Sequence, residues 1–527
     1  MASEASTDVL IIGSGPVGSA FARTIHELRP TARLLMVEVG PRLTDPPGMH
    51  VKNIVDAHER LIAQVRSQGP HFTEEALRAA AALAGRPPDG TFARPGTFYV
   101  DPERAARGDA GTLGAAAMSS NVGGMGAHWT CACPYPAGHE LVPFVPGAEW
   151  RDALETAKRL LAVTQDAFPR TPRGEAVLRA LKAEFDRELP PERQVQPMPM
   201  ACRLDGDGRR YWSGTDVVLG PLATDPPATF RLCPETLCTR LVVEGSRVVA
   251  ARLRHLPSRV ERTVSARAVV VACDGLRTPQ LLWASGIRPR ALGHFLNDHI
   301  QLMGAAHLDP RLIEQGDGED GPRHQVEAPG EGYDPIVGVF WIPYSEQHPV
   351  HGQVMHLDMS PIAIGPAAPD RAETGIVGVG YFIPKDIRYQ DRVTFSESEV
   401  DVYGMPKIEI HYGFTDRDRE SIDRAKRLQA RAAAALGGFA PGHEPRLMPA
   451  GSSLHYQGSV RMGEADDGTS VCDPHCRVWG LDNLFVGGNG VIPTPTAGNP
   501  TLSSVAHAVR AARQLARSLS AAGTLAS

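Results

Sequence analysis

The stretch Asp8-Val9-Leu10-Ile11-Ile12-Gly13-Ser14-Gly15-Pro16-Val17-Gly18 decides the fold of this chain. Its apolar first half predicts a buried strand, and the residues after it predict a helix. A second apolar stretch, Arg33 to Val37, ends at Glu38, 20 residues beyond Gly18. Strand, glycine turn, helix, strand and acid in this order are the fingerprint of a dinucleotide-binding fold.

Each part of the fingerprint has a physical task. The glycines allow a tight turn and a close approach of the backbone to a pyrophosphate. The helix N-terminus adds free N–H groups and a partial positive charge. Glu38 is placed to accept hydrogen bonds from the ribose hydroxyls of an adenosine half. The motif predicts FAD or NAD(P) and does not choose between them.

Composition and charge limit the partners of this protein. The chain has 527 residues, 42% of them hydrophobic, and a formal net charge of -6. This length predicts more than one domain, and the charge argues against nucleic acid or a membrane as a partner. No apolar run approaches the roughly 20 residues of a membrane span, and the polar N-terminus has no signal-peptide core. We therefore expect a cytoplasmic protein.

The cysteines predict neither a disulfide framework nor a metal site. Eight cysteines are too few for a disulfide scaffold in a chain of this size. The pairs Cys131 with Cys133 and Cys472 with Cys476 lack the two-residue spacing of common zinc sites. We therefore expect no bound metal.

Further pieces of a nucleotide-binding fold recur far along the chain. Strands are predicted for Arg231 to Val243, Val248 to Leu253 and Ala268 to Cys273, and a helix begins at Thr278. The segments between these pieces are then insertions that form a second domain. Other helices are expected at Glu59 to Arg66, Thr73 to Leu83, Glu149 to Phe168, Glu175 to Phe185 and Val505 to Leu519, and one more begins after the cap Thr415. Surface segments are expected at Pro190 to Pro199 and Arg311 to Asp334.

A glycine-rich stretch, Asn121 to Cys131, ends in His128, Trp129 and Thr130. Glycines let a backbone run close against another body, so these side chains fit the edge of a ligand site. The same pattern also fits a tight turn that carries a core tryptophan. Local sequence leaves both interpretations open.

Four motifs in this order resemble the glucose-methanol-choline (GMC) flavoprotein oxidoreductases. They are the N-terminal fingerprint, Thr278-Pro279-Gln280-Leu281-Leu282, the segment from His455 to Gly463, and Asn499-Pro500-Thr501-Leu502. Within that family, Val122 to Cys131, Asp401 to Pro406 and Phe485 to Gly490 resemble the pyranose 2-oxidase branch. The resemblance spans almost the whole chain and implies tightly held FAD.

The resemblance implies an α/β fold, with a Rossmann-like FAD-binding domain and an inserted domain built on an antiparallel sheet that binds substrate. The expected FAD-binding domain is discontinuous and comprises residues 1–50, 105–140, 230–300 and 455–527. The expected substrate-binding domain comprises residues 141–229 and 301–454. Residues 51–104 are expected to connect the two as a lid segment.

The resemblance also assigns roles to single residues. It implies that His455 and Asn499 are the catalytic pair, that Thr130 lies beside flavin N5, and that His128 is the position of a covalent bond to the flavin. Asn499 alone also fits a helix cap, since Pro500 follows it. The expected cofactor-binding residues are Gly13, Gly15, Gly18, Glu38, Met125, His128, Trp129, Thr130, Cys238, Asn489, Pro500 and Thr501.

This sequence departs from the branch in three places. Gly126-Ala127 precedes His128 where the branch has Ser-Thr, which leaves the covalent tether open. The substrate loop from His351 to Ser360 lacks the aromatic pattern of the branch, and the strand near Gly378 lacks its arginine. Gln353 and Asp358 are the expected substrate contacts. The chain has no room for the head domain of the fungal tetramers, as in the bacterial glycoside 3-oxidases of this branch, so a monomer is expected.

The predicted reaction is oxidation of a secondary hydroxyl of a pyranose or glycoside, at C2 or C3, to a ketosugar. His455 fits the base, because an imidazole titrates near neutrality, and Asn499 fits the group that orients the hydroxyl. The resemblance implies hydride transfer to flavin N5. The electron acceptor is then O2, which is reduced to H2O2, or a quinone. A lyase of the hydroxynitrile type, which shares the fold without net redox, is the alternative from another class.

Overall fold

The structure, a computed structural model, describes residues 5–68, 96–100, 112–168, 170–314, 336–357 and 375–521. The described strands are β1 (Ala5–Ile12), β2 (Leu34–Val37), β3 (Gly96–Tyr99), β4 (Ala117–Ser120), β5 (Val163–Thr164), β6 (Gln196–Pro197), β7 (Met200–Leu204), β8 (Arg210–Trp212), β9 (Phe230–Cys233), β10 (Thr236–Glu244), β11 (Arg247–His255), β12 (Glu261–Val271), β13 (Ile300–His307), β14 (Ile336–Ile342), β15 (His351–Leu357), β16 (Ile376–Ile383), β17 (Arg392–Val400), β18 (Pro406–His411), β19 (Arg446–Leu447) and β20 (Leu484–Val486). The described α-helices are α1 (Pro16–Leu28), α2 (Ala57–Gln68), α3 (Gly147–Leu161), α4 (Pro172–Phe185), α5 (Thr215–Leu219), α6 (Pro221–Thr224), α7 (Arg277–Ala284), α8 (Pro310–Glu314), α9 (Asp416–Leu436) and α10 (Thr501–Ala521).

The fingerprint lies in a seven-stranded sheet. Its order is β10-β11-β12-β1-β2-β9, and β20 pairs with the end of β12. Strands β9, β2, β1, β12 and β20 run parallel, whereas β10 and β11 form an antiparallel extension. Val9, Leu10 and Ile11 have no exposed surface. A parallel strand covered on both faces explains the unbroken apolar run in the sequence.

Two glycines of the fingerprint are required by close packing. A Cβ added to Gly13 (φ 104°) would lie 2.2 Å from the carbonyl oxygen of Ala272, where β12 ends. A Cβ added to Gly18 would lie 2.0 Å from the carbonyl oxygen of Gly13. Glycine at these positions lets β1, β12 and α1 meet at one turn.

The second large sheet is antiparallel and has the order β19-β13-β16-β15-β14-β6. Helices α4 and α9 pack against it and against each other. Alternate residues of β16, namely Val377, Val379, Tyr381 and Ile383, are buried in the core that these elements share. The opposite face of the same strand carries Gly378, Gly380 and Phe382, which is the alternation expected of a pleated strand.

The two sheets draw on interleaved parts of the chain. The first takes its strands from residues 5–37, 230–271 and 484–486, and the second from residues 196–197, 300–383 and 446–447. The α/β class with an antiparallel second sheet is therefore confirmed. The exact domain boundaries and the lid segment 51–104 stay predictions.

Two predicted elements have wrong bounds. The helix expected from Glu149 to Phe168 ends at Leu161, because Ala162 adopts φ 50° and Val163–Thr164 pairs with β7. The strand expected from Arg231 to Val243 is two strands, because Glu235 (φ 50°) breaks it after Pro234. The first break has no sequence signal, since alanine rarely adopts a left-handed backbone. The second break had one, because Pro234 cannot donate a backbone hydrogen bond within a strand.

Two further expectations need correction. The segment from Pro190 to Pro199 is more than a surface connection, because Gln196–Pro197 pairs with β14 and Arg193 is buried. The closing helix begins at Thr501 rather than Val505. The helix expected at Thr73 to Leu83 lies outside the described residues, as does the segment expected at Arg311 to Asp334 beyond Glu314.

The predicted cap of α9 is confirmed. Thr415 Oγ1 accepts a hydrogen bond from the N–H of Asp418, and the Asp418 carboxylate accepts one from the N–H of Thr415. This reciprocal arrangement satisfies two N–H groups at the helix start. Across the described ranges, no helix is long and apolar enough to span a membrane.

Candidate active site

A cavity of about 640 Å³ is lined by residues of both large sheets. Its size is in the range of cofactor and ligand sites. Thirteen of the predicted site residues line it, namely Gly13, Gly15, Glu38, Met125, His128, Trp129, Thr130, Cys238, Gln353, His455, Asn489, Asn499 and Thr501. Gly18 lies beneath Gly13, Pro500 lines a small adjoining cavity, and Asp358 lies outside the described residues.

The fingerprint and the glycine-rich stretch meet at Ser14. The Ser14 hydroxyl donates a hydrogen bond to the Glu38 carboxylate (2.8 Å) and accepts one from the N–H of Gly123 (2.9 Å). Glu38 also accepts from the N–H groups of Ser14 and Gly40, both at 3.1 Å. Burial raises the pKa of Glu38 from its ordinary value. The hydrogen bonds fix its carboxylate at the wall of the cavity.

The residues of the fingerprint fit a dinucleotide. Gly15 caps the N-terminus of α1 without a side-chain hydrogen bond, and a Cβ added there would meet no atom within 4 Å. The open space above Gly15 is therefore part of the cavity, at the helix end where N–H groups and the dipole favour an anion. Gly15 is the position at which a pyrophosphate would contact the backbone most closely.

The glycine-rich stretch is both a tight turn and an edge of the cavity. Gly123 (φ 95°) and Gly124 (φ 52°) lead into a single 3-10 turn, Gly124–Ala127. A Cβ on Gly126 would lie 2.9 Å from the Pro16 ring. After the turn, His128 and Trp129 are half-buried and Thr130 is exposed in the cavity wall. The sequence left open whether this stretch is a tight turn or the edge of a ligand site, and the structure shows a tight turn that also forms an edge of the cavity.

The backbone of this edge is held by His50, which sequence reasoning missed. The Lys52 N–H donates to His50 Nδ1 (3.2 Å), so Nε2 carries the proton and donates to the Trp129 carbonyl (2.9 Å). Burial lowers the pKa of His50 to about 3, and the ring stays neutral. The Trp129 indole N–H donates to the Ser213 carbonyl (2.8 Å). A lone histidine 79 residues away carries no sequence signal for this contact.

His455 and Asn499 meet in the cavity wall as predicted. The Asn499 Nδ2 atom lies 3.4 Å from His455 Nε2. Asn499 is buried, and its Oδ1 has no hydrogen-bond partner among the residues that the structure describes. Asn499 is not the helix cap, because the N–H of Ser504 donates to the Pro500 carbonyl (2.8 Å), which makes Pro500 the first residue of α10's hydrogen-bond ladder. The amide is therefore available to a ligand.

A polar run missed in the sequence, Asn297-Asp298-His299, supports His455. Asp298 Oδ1 accepts from the His455 N–H (3.0 Å) and from the Ser453 hydroxyl. His299 Nδ1 lies 2.8 Å from His455 Nδ1. Burial raises the pKa of Asp298 to about 7 and lowers that of His455 to about 3. Three polar residues directly before an apolar strand are the signal that was available.

Glu140 holds the loop that carries Asn499. Its Oε1 accepts hydrogen bonds from the N–H groups of Ala497 (2.8 Å) and Gly498 (3.0 Å). Its own carbonyl accepts from the Thr494 hydroxyl (2.9 Å). A buried carboxylate at this point fixes the backbone directly before the catalytic candidate.

The second sheet supplies the remaining wall. Its cavity-facing residues on three neighbouring strands are Gln301 and Met303 from β13, Gln353 and Met355 from β15, and Gly380 and Phe382 from β16. The register places Gly380 between Met303 and Gln353. Two amides and two thioethers around a glycine make a wall that is polar in part and otherwise adaptable.

Comparison with known proteins gives the family. Two parts of the chain, residues 142–301 and 390–508, match GMC oxidoreductase. The chain is 47% identical to C-glycoside 3-oxidase of Microbacterium trichothecenolyticum over 98% of both proteins. It is 34% identical to pyranose 2-oxidase of Tricholoma matsutake over 96% of this chain and 93% of that protein.

A solved structure shares the fold. Pyridoxine 4-oxidase from Mesorbium loti superposes with a TM-score of 0.61 at 19% identity, and the alignment covers 96% of this chain and 99% of that one. Identity at this level supports the architecture alone. The sequence identities are stronger evidence for the family than this structural similarity. They agree with the four GMC motifs found in the sequence. This chain belongs to the GMC oxidoreductase family, and its cofactor is a flavin, FAD.

Proposed function

We propose that this protein oxidises a secondary hydroxyl of a pyranose or glycoside, at C2 or C3, to a ketosugar. The observation that carries the proposal is the pair of His455 Nε2 and Asn499 Nδ2, 3.4 Å apart, in a cavity that also reaches the dinucleotide fingerprint. The names of the relatives support a sugar substrate, and the higher identity to a C-glycoside 3-oxidase favours C3 of a glycoside.

His455 acts as the base in this proposal. The near-neutral pKa expected from the sequence is wrong for this structure, because burial lowers the pKa of His455 to about 3. The imidazole is therefore neutral at pH 7, and one ring nitrogen has a lone pair for the hydroxyl proton. Asn499 supplies the second contact to the same oxygen by donating from Nδ2, because the single hydroxyl proton is already directed at His455. Two contacts on one hydroxyl fix the direction of the C–H bond on the same carbon.

Bound FAD supplies the acceptor for the hydride that leaves this carbon. Gly13 and Gly15 would hold its pyrophosphate, with Gly18 packed beneath Gly13, and Glu38 would hold its ribose. The edge formed by Met125, His128, Trp129 and Thr130 would hold the ring system, with Thr130 nearest the reacting position. Cys238, Asn489, Pro500 and Thr501 complete the proposed set. Gln353 and Asp358 are the proposed substrate contacts.

Anaerobic mixing tests the proposal. The oxidised enzyme is mixed with glucose and separately with a C-glucoside, and the visible absorbance of the flavin is followed. We expect bleaching with at least one of them, and a product whose ketone is located by NMR at C2 or C3. Enzyme that keeps its absorbance with free sugars and glycosides alike would contradict an oxidase and favour the lyase alternative.

The variant His455→Ala separates chemistry from binding. We expect it to retain FAD and to lose at least about a hundredfold in the rate of flavin reduction, the range of general-base catalysis. Glu140→Gln should retain His455 and change the rate less, because it alters only the support of Asn499. An unchanged rate in His455→Ala would remove His455 as the base.

Three further points belong to the proposal. O2 is the proposed electron acceptor, with H2O2 as product. A quinone that reoxidises the flavin faster than O2 would take over this role.

A covalent bond from His128 is left open: after acid precipitation, flavin in the pellet supports the bond, and a yellow supernatant excludes it. The monomeric state, tested by light scattering, and the cytoplasmic location stay predictions.

A further inference from the structure

His299 immediately precedes β13 and contacts the ring of His455. Its Nδ1 is 2.8 Å from His455 Nδ1, and the two ring planes meet at 76°. His299 is only 3% exposed. Its Nε2 is 2.9 Å from Thr496 Oγ1 and 3.1 Å from the Gln457 amide nitrogen, and Thr496 Oγ1 is 3.0 Å from Gln457 Oε1. Four side chains therefore form one hydrogen-bonded chain that ends at the catalytic candidate.

A hydrogen bond between two Nδ1 atoms contains a single proton. If His455 carries it, then His455 Nε2 has the lone pair and faces Asn499, ready to take a hydroxyl proton. If His299 carries it, the neutral His455 must carry its own proton on Nε2 and has no lone pair in the cavity. The tautomer of His299 thus decides whether His455 works as a base.

The groups at the far side of His299 choose between these states. The productive state requires a proton on His299 Nε2, donated to Thr496 Oγ1. In the structure the Gln457 amide nitrogen faces His299 Nε2, which fits the opposite state, and the productive state requires a half-turn of this amide that puts its oxygen toward His299. The Asn499 amide nitrogen that faces His455 Nε2 fits the productive state, because it can donate only to a lone pair. The other titratable groups that face the ring are His455 itself and His351 of β15, and burial lowers the pKa of all three histidines. Because all three rings are neutral, the position of the proton on each ring, rather than its charge, decides whether His455 has a free lone pair.

We propose that His299 is a positioning residue that holds His455 in the Nδ1–H tautomer, within the chain His455–His299–Thr496–Gln457. The inference rests on the proposed role of His455 in sugar oxidation. When the hydroxyl proton moves to His455 Nε2, the Nδ1 proton remains hydrogen-bonded to His299 Nδ1. The new positive charge is then stabilised by the buried acceptor His299.

Two substitutions at one position test the proposal. His299→Asn keeps an oxygen acceptor near the place of Nδ1, and His299→Leu removes it. We expect flavin reduction to slow roughly 100-fold in His299→Leu and less than about tenfold in His299→Asn, since a correctly protonated base is worth that order of rate. His507→Asn is the control, because His507 is also buried and lies outside both cavities. FAD content and Tm are measured for every variant.

A spectroscopic readout needs no substrate. In holoenzyme carrying nitrogen-isotope-labelled histidine, NMR distinguishes protonated from bare ring nitrogens, and the signals of His455 are assigned by substitution. We expect the Nδ1–H tautomer of His455 in the wild type and in His299→Asn, and the Nε2–H tautomer in His299→Leu. A wild type with the proton on His455 Nε2, or the same tautomer in all three proteins, would overturn the proposal.

The two readouts separate this inference from the proposed function. If no sugar or glycoside reduces the wild type, the function fails, while the tautomer experiment still decides the role of His299. If sugars reduce the wild type and His299→Leu is as fast as the wild type, the function stands and the inference fails. If His299→Leu does not fold, the wild-type tautomer and the rate of His299→Asn decide it.

Discussion

Trp129 lies between His128 and Thr130 in the chain, and His50 holds its carbonyl with a hydrogen bond. Because His50 donates through Nε2 and burial lowers its pKa to about 3, the ring stays neutral and the hydrogen bond is unchanged near neutral pH. We expect His50→Leu to bind FAD less completely and to lose about 1–3 kcal/mol of stability, because a buried carbonyl loses its donor. The flavin-to-protein absorbance ratio and urea unfolding measure both effects.

His50→Gln is the matched variant for this prediction. Its amide N–H can replace the Nε2–H donor, so flavin content should return toward the wild-type value. If His50→Leu and His50→Gln bind FAD equally well, the hydrogen bond to Trp129 does not position the cavity edge.

Lys385 carries a buried ammonium group just after strand β16. Its side chain is 0% exposed, with Nζ 2.6 Å from Asp391 and 3.7 Å from Asp418, and it lies over the Tyr412 ring. We expect Lys385→Met to destabilise the fold by about 3 kcal/mol or more, because two buried carboxylates lose their common cation. Chemical unfolding with the flavin absorbance as probe measures the change.

The control for Lys385 is Lys407→Met. Lys407 pairs with Glu399 at 2.7 Å, but both side chains are more than half exposed. Water screens this pair, so its loss should change stability far less. Equal effects of the two substitutions would show that burial is not what makes Lys385 important.

In the turn between β1 and α1, one glycine is needed for packing and another for cofactor binding. A Cβ at Gly18 would overlap the Gly13 carbonyl, whereas a Cβ at Gly15 would enter only the cavity. We expect Gly15→Ala to fold with the apoprotein Tm of the wild type and to bind FAD at least about tenfold more weakly, about 1.4 kcal/mol. Gly18→Ala should lower the apoprotein Tm itself. Titration of the apoproteins with FAD, and their thermal unfolding, test the contrast.

Strand β16 controls the width of the cavity through a missing side chain. Pleating points residues 378, 380 and 382 to the cavity side, and a Cβ at Gly380 would lie 3.3 Å from the flexible Met303 thioether. We expect Gly380→Val to fold and to raise the KM for a bulky glycoside roughly tenfold more than for a free sugar, because the side chain occupies ligand space. Steady-state kinetics on glucose and a C-glucoside measure the ratio.

Gly378→Ala serves as the control on the same strand. Its added Cβ would meet the nearest atoms of Met355 at 3.8 Å, which is ordinary contact, and residue 378 does not line the cavity. The KM ratio should stay unchanged. A ratio that shifts equally in both variants would mean that strand geometry, rather than cavity width, sets the preference.

The molecule as a whole should lose stability in mild acid. Among the described residues, burial lowers the pKa of eight histidines (His50, His294, His299, His348, His351, His455, His475 and His507). Below pH 6.5 the unfolded chain therefore binds protons that the folded chain does not. Four buried carboxyls with raised pKa values (Glu38, Asp216, Asp274 and Asp298) act in the opposite direction.

Because the histidines outnumber the carboxyls, the net effect is a loss of stability as the pH falls from 7 to 5. Each net proton contributes about 1.4 kcal/mol per pH unit. Thermal unfolding with saturating FAD and constant ionic strength should show a falling Tm. His348→Leu should flatten the slope, since burial lowers the pKa of His348 to about 4 and neither ring nitrogen has a hydrogen bond within the described ranges. A constant or rising Tm would contradict the prediction.

Much of the site could be predicted because its signals are local. Gly13, Gly15, Gly18 and Glu38 belong to one strand-turn-helix-strand unit, and their spacing requires a particular backbone. The capping pair of Thr415 and Asp418 is three residues apart and was equally readable. The break at Ala162 was not readable, because an alanine side chain does not favour the left-handed backbone that this residue adopts.

The sequence by itself determined the dinucleotide fingerprint, the family and the pair of catalytic candidates, since each depends on a motif of neighbouring residues. Only the tertiary structure decided which other residues contact and support those motifs. His299 meets His455 across 156 residues, and His50 meets Trp129 across 79. Such contacts follow from the order of strands and the packing of loops, which bring together residues that share no spacing in the chain. The local pattern thus specifies which groups react, and the fold specifies which groups hold them.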